Sequence, residues 1–113
     1  MNDLLRKKVY ARDGHACWHC GATEGLSIQH RANKGMGGSK HRDRLDNLLT
    51  FCLEANQRLE SDANFAMQGR DNGWKLASWV PYTQPVWNAW QRKWFIITAE
   101  GEKIETEPPS YLI

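Results

Sequence analysis

Between residues 31 and 42 the chain reads Arg31-Ala32-Asn33-Lys34-Gly35-Met36-Gly37-Gly38-Ser39-Lys40-His41-Arg42. Glycines at 35, 37 and 38 resist helix and strand alike, because glycine loses more backbone freedom on ordering than any other residue. The segment is a long loop, and regular structure has to lie on either side of it. Before it, Leu26-Ser27-Ile28-Gln29-His30 alternates apolar and polar residues, the period of a half-buried strand. That reading turns Leu26 and Ile28 inward and puts His30 on their face, at the strand's end. After it, Leu48-Leu49-Thr50-Phe51-Cys52 is a second short apolar strand, expected antiparallel to the first.

The remaining elements follow from capping and turn signals. Asn2 or Asp3 can cap a helix carrying Leu4, Leu5, Lys8, Val9 and Arg12, which stops at Asp13-Gly14. After the second strand, Glu54 to Leu59 reads as helix. Ser61-Asp62 starts another through Ala63, Phe65, Ala66 and Met67, ended by Gly69 and Asn72-Gly73. Trp74 to Ala77 is strand-like, Pro81 and Pro85 break the chain, and Trp87 and Trp90 flank a turn. Lys93 to Thr98 and Lys103 to Thr106 read as a hairpin around Ala99-Glu100-Gly101-Glu102. Five of the six tryptophans lie beyond residue 73. They are expected mainly to build core, with some free to stack on bases.

At 113 residues the chain has room for one core and not for two. Hydrophobic residues at 41% and charged residues at 25% exclude a disordered or fibrous chain. No apolar run approaches the roughly 20 residues of a membrane span, so no membrane association is expected. The first eight residues lack the apolar stretch of a signal peptide, which points to the cytoplasm. Residues 1–44 carry nine Lys or Arg against four Asp or Glu, whereas the remainder carries six against nine. A basic half beside an acidic half suits a surface that faces phosphates, since Lys and Arg displace condensed counterions; uneven charges on a solvated face would read the same way.

Three cysteines fit a disulfide framework poorly. Cys17-Trp18-His19-Cys20 places two thiols in one turn, and Cys52 is the third. Such a pair reads as half a zinc site. The redox alternative is weaker, because no strand leads into the pair. Two readings stay open: a structural zinc on Cys17, Cys20 and Cys52 with His19 or His15 as fourth ligand, or a metal-free knuckle held by Trp18 and other apolar contacts.

Taken in order, Cys17-Trp18-His19-Cys20-Gly21, Ser27-Ile28-Gln29-His30-Arg31, Gly35-Met36-Gly37-Gly38-Ser39, Asn47-Leu48-Leu49 and Cys52-x-x-x-Asn56 resemble the HNH endonucleases, particularly the small phage-encoded type. The resemblance runs on through Leu59-Glu60-Ser61 and Gly73-Trp74 to the terminal hairpin. It implies an α+β fold: a ββα-metal core over residues 1–73 with an N-terminal helix, and a Trp-rich β appendage over 74–113 packed on the same domain. The implied activity is metal-dependent hydrolysis of DNA phosphodiester bonds by nicking or double-strand cleavage, in a phage- or prophage-encoded enzyme working in the bacterial cytoplasm.

On that resemblance His30 is the general base, a neutral imidazole able to take a proton from water, and Asn47 holds the loop that orients it. Asn56 and Glu60, spaced i, i+4 on one helix face, with Gln29, would hold one divalent cation, Mg²⁺ or another hard ion. Arg31, Lys34, Lys40, Arg42 and Arg44 would contact double-stranded DNA. The sequence departs from the family where Gln29 stands for the usual Asp or His, and where Ala55 leaves the second thiol pair incomplete. Both departures favour one alternative, a decayed DNA-binding or DNA-packaging accessory protein; a third reading is a zinc-knuckle adaptor that binds phage packaging proteins.

Overall fold

The computed structural model describes residues 1–33 and 40–110, Lys40 by its backbone alone. β1 (Leu26–His30) and β2 (Leu48–Cys52) pair antiparallel in unbroken register from Leu26↔Cys52 to His30↔Leu48. α2 (Leu53–Ser61) follows β2 without a linker and packs back on both strands. Cys52 caps it, its Sγ accepting from the Ala55 N–H. Asp62 then ends α2 and caps α3 (Ala63–Asp71), accepting from the N–H groups of Asn64 and Phe65. α3 runs past Gly69, where a glycine is needed for packing: a Cβ there would lie 2.7 Å from the Leu59 side chain.

The inward face of β1 is the reverse of the sequence expectation. Opposed residues of an antiparallel pair share a face, and the core side belongs to Leu49 and Phe51 of β2. Their partners Gln29 and Ser27 therefore turn inward. Gln29 is buried, its amide donating to the carbonyls of His30 and Trp74, whereas Leu26, Ile28 and His30 stay half-buried on the other face. The larger apolar pair of β2, Leu49 and Phe51, decided the matter against Leu26 and Ile28 of β1.

α1 (Asp3–Arg12), capped by Asn2, buries only Val9 among its side chains. Polar bonds fix it instead. The Arg12 guanidinium grips both oxygens of Asp13 and donates to the carbonyls of Leu45 and Leu48, while Asp13 accepts the Thr50 N–H at 3.0 Å. The helix is thereby held against the outer face of the hairpin.

A second sheet contains β3 (Val86–Asn88), β4 (Lys93–Ile97) and β5 (Lys103–Thr106) in the order β3-β4-β5, all antiparallel. The predicted hairpin is β4-β5; the turn expected beside Trp87 and Trp90 lies at 89–92, and β3 before it was not expected. Trp74 to Ala77 forms no strand, only an isolated bridge between Leu76 and Ala32. Both sheets close on one core: Trp18, Leu49, Phe51, Leu59 and Phe65 pack with Trp74, Val86 and Ile97. Gly73 makes the passage between them. Its φ is +77°, and a Cβ would fall 2.3 Å from the Pro85 carbonyl, so only glycine fits. Among the described residues this is an α+β fold with three α-helices and two small antiparallel sheets, and none of its helices is long and apolar enough to cross a membrane.

Candidate functional site

His30 closes β1 on the rim of an open cleft of about 460 Å³, lined also by Met1, Arg6, Tyr10, Leu26 and Ile28. Its Nε2 lies 2.8 Å from Asp43 Oδ1, and the Met1 ammonium lies 4.0 Å from the other carboxylate oxygen. Asp43 escaped the sequence reading, because it sits in an irregular stretch where no period or spacing marks it. The ammonium of Met1 and the Arg6 guanidinium, the latter also 3.5 Å from Asp3, give the cleft wall cationic donors suited to a phosphate.

Asn47 is fully buried and binds three backbone groups. Its Oδ1 accepts the Ala32 N–H at 2.8 Å, and its Nδ2 donates to the carbonyls of Ala32 and Arg42. The Asn47 carbonyl also accepts the Arg31 N–H. Ala32, two residues after His30, and Arg42, one residue before Asp43, are thereby fastened to one side chain.

The predicted cation ligands do not gather on that side. β1 has no bulge, so Gln29 faces away from His30. Asn56 reaches β1 from the Ser27 side, its Nδ2 donating to Ser27 Oγ and the Ile28 carbonyl. Glu60 is exposed and pairs with Lys75 at 3.3 Å. A cation beside His30 would find one protein carboxylate, Asp43. Mg²⁺ tolerates so few protein ligands when water and substrate phosphate complete its shell.

Arg31 is not a DNA contact, and here the structure corrects the sequence reading. Its side chain is 1% exposed. Nε donates to the Gly73 carbonyl, Nη1 to those of Asp46 and Tyr82, and Nη2 to that of Gln84. Burial pushes its pKa down to about 9 against the pull of Asp46, so it stays charged at neutral pH. Arg44 forms a bidentate pair with Asp46 and lies over the Tyr82 ring, whose hydroxyl accepts from Arg42. Lys34 and the glycines at 35, 37 and 38 lie outside the described residues, as does the Lys40 side chain.

A second cluster lies at the start of α2. The Sγ atoms of Cys17, Cys20 and Cys52 all fall within 4.8 Å of one another, where they could bind a metal ion. Cys20 and Cys52 are 3.9 Å apart, close to the roughly 3.8 Å edge of a tetrahedron with 2.3 Å metal–sulfur bonds. The N–H groups of His19 and Ala55 point at the sulfurs of Cys17 and Cys52, a pattern that favours thiolates. Without metal, burial pushes the Cys17 thiol up to about 12, although hydrogen bonds from the backbone of Cys52, Cys20 and His19 pull it down. The His19 ring meets Phe65 and Trp74 edge-on at 5.0 and 5.6 Å. Burial, reinforced by the charge of Arg58, lowers its pKa. His15 is exposed beside Tyr10.

No protein-family model, curated protein or solved structure matched the chain in comparison.

Proposed function

We propose that the chain is a DNA endonuclease of the HNH type, with β1, β2 and α2 as its ββα core and a zinc ion on Cys17, Cys20 and Cys52 holding the knuckle to α2. The observation that supports this best is His30 at the strand end, bonded to Asp43 and backed by Asn47, on a cleft walled by cationic groups. With Nε2–H donated to Asp43, the imidazole lone pair sits at Nδ1, where it can accept a proton from water aimed at a phosphodiester. Asp43 keeps the ring in that tautomer and offsets the positive charge that the ring gains. Met1 and Arg6 bind the flanking phosphate. A divalent cation, when bound, supplies charge for the transition state and the departing 3′ oxygen. Asp43 would contribute the protein oxygen, with water and the DNA phosphate completing the shell, so this cation binds together with DNA and not before it.

The sparse oxygen set is also what a decayed, DNA-binding relative would show. A plasmid-nicking assay across Mg²⁺, Mn²⁺ and Ni²⁺ separates the two readings. Nicking by the wild type that disappears in His30→Ala, with DNA affinity nearly unchanged, supports the enzyme, since a general base contributes roughly 10²–10⁴ in rate and little to binding. DNA binding with no nicking in any metal would establish the accessory protein instead.

A further inference from the structure

We propose that the three-cysteine centre leaves its fourth metal position open, holding water that exchanges for a small monodentate thiolate. This rests on the reading that the cysteines hold a metal ion. Four-coordinate zinc is closed where the protein supplies all four ligands and open where it supplies three. Among the described residues, no His, Asp or Glu ligand atom joins the three sulfurs within 4.8 Å.

The neighbours explain why. His19 lies within the knuckle, but its ring is lodged against Phe65 and Trp74, and turning it toward the sulfurs would strip that face of the core. Ala55 brings only a methyl group, and its N–H is engaged with Cys52 Sγ. Glu54 is exposed at the rim. What adjoins the sulfurs of Cys20 and Cys52 is a cleft of about 180 Å³ lined by His19, Cys20, Cys52, Glu54, Ala55 and Arg58. That space admits a ligand of a few heavy atoms. Arg58, braced over the Phe65 ring at 4.1 Å and 3.8 Å from Asp62, lines the cleft together with Glu54, so the walls carry both charges and leave the choice of ligand to the metal. A metal already bearing three sulfurs selects soft ligands, so a thiolate displaces the water and its proton passes to solvent.

The test uses Co²⁺ as the probe, added to metal-free protein kept reduced by a phosphine. The wild type should bind one equivalent with a tetrahedral spectrum. Titrating 2-mercaptoethanol should then shift the d–d bands and raise the sulfur-to-cobalt charge transfer by about a third, as four thiolates replace three. Glu54→Gln and His19→Phe, which keeps the aromatic packing while removing the nitrogens, should start from the wild-type spectrum and respond alike. A wild-type spectrum insensitive to thiol, or one altered by either substitution, means that the protein closes the site and overturns the proposal. Failure to bind Co²⁺ at all overturns both the proposal and the metal reading beneath it. His30→Ala should give the wild-type spectra throughout, so loss of nicking and closure of this site are read separately.

Discussion

Replacing Arg31 by Met retains much of the side chain's length and apolar stem but removes every donor. Four carbonyls then lose their partner: Gly73 at the exit of α3, Asp46 before β2, and Tyr82 and Gln84 in the segment leading to β3. Bonds from a charged donor are worth about 1.5–3 kcal/mol each, yet their sum overstates the loss. Desolvating the guanidinium costs several kcal/mol that the variant no longer incurs, and carbonyls near the surface can turn to water. Subtracting that relief from the four bonds leaves about 3–5 kcal/mol as the expected net loss here. At about 0.05–0.15 kcal/mol per residue the whole fold holds roughly 6–17 kcal/mol, so a large share disappears. For this size about 4 °C follows each kcal/mol, placing the melting point some 12–20 °C lower. Tryptophan fluorescence during thermal and urea unfolding measures it directly. Arg31→Lys should recover little, because one ammonium cannot reach carbonyls spread around a planar fork. A variant that melts within about 3 °C of wild type but binds DNA more weakly would refute the argument and return Arg31 to the surface.

Other outcomes follow from the same contacts. Asp43→Asn should lower nicking at saturating DNA at least about tenfold while changing DNA affinity less than about twofold, since it keeps the shape but not the charge opposite His30; equal nicking by both proteins would remove Asp43 from the site. Asp13→Ala removes the counter-charge of Arg12, which keeps the Leu45 and Leu48 carbonyls, and leaves the Thr50 N–H without its acceptor; it should cost about 3 kcal/mol in urea unfolding. Thr50→Val should be neutral or stabilising by up to about 1 kcal/mol, because the buried Thr50 hydroxyl has no hydrogen-bond partner; a loss above that range would reveal a bond through water.

Periodicity and capping showed the elements where local signals and packing agree. α1 announces itself by Asn2 and Gly14, and β2 by an unbroken apolar run. The inward face of β1 was illegible from β1 itself, since it depends on which β2 residues lie opposite. Arg31 shows the same limit more sharply. In sequence it is one more base in a glycine-rich loop, and only the carbonyls of residues 46, 73, 82 and 84 distinguish it from a phosphate contact. The cysteine cluster was legible because short thiol spacing is a local signal and Cys52 could be matched by position. The partner of His30 was not, because Asp43 is brought to it by a turn that no pattern marks.

The shared core has a consequence for the order in which the chain can fold during synthesis. Trp18, Leu49 and Phe51 are made early, yet Trp74, Val86 and Ile97 complete their packing. Until Ile97 has left the ribosome the first half presents an open aromatic face beside the two-stranded β1-β2 sheet. Such a nascent chain is a natural client for a holding chaperone. A stalled chain ending before Val86 should remain sensitive to protease, and protection should arrive in one step once β4 is free.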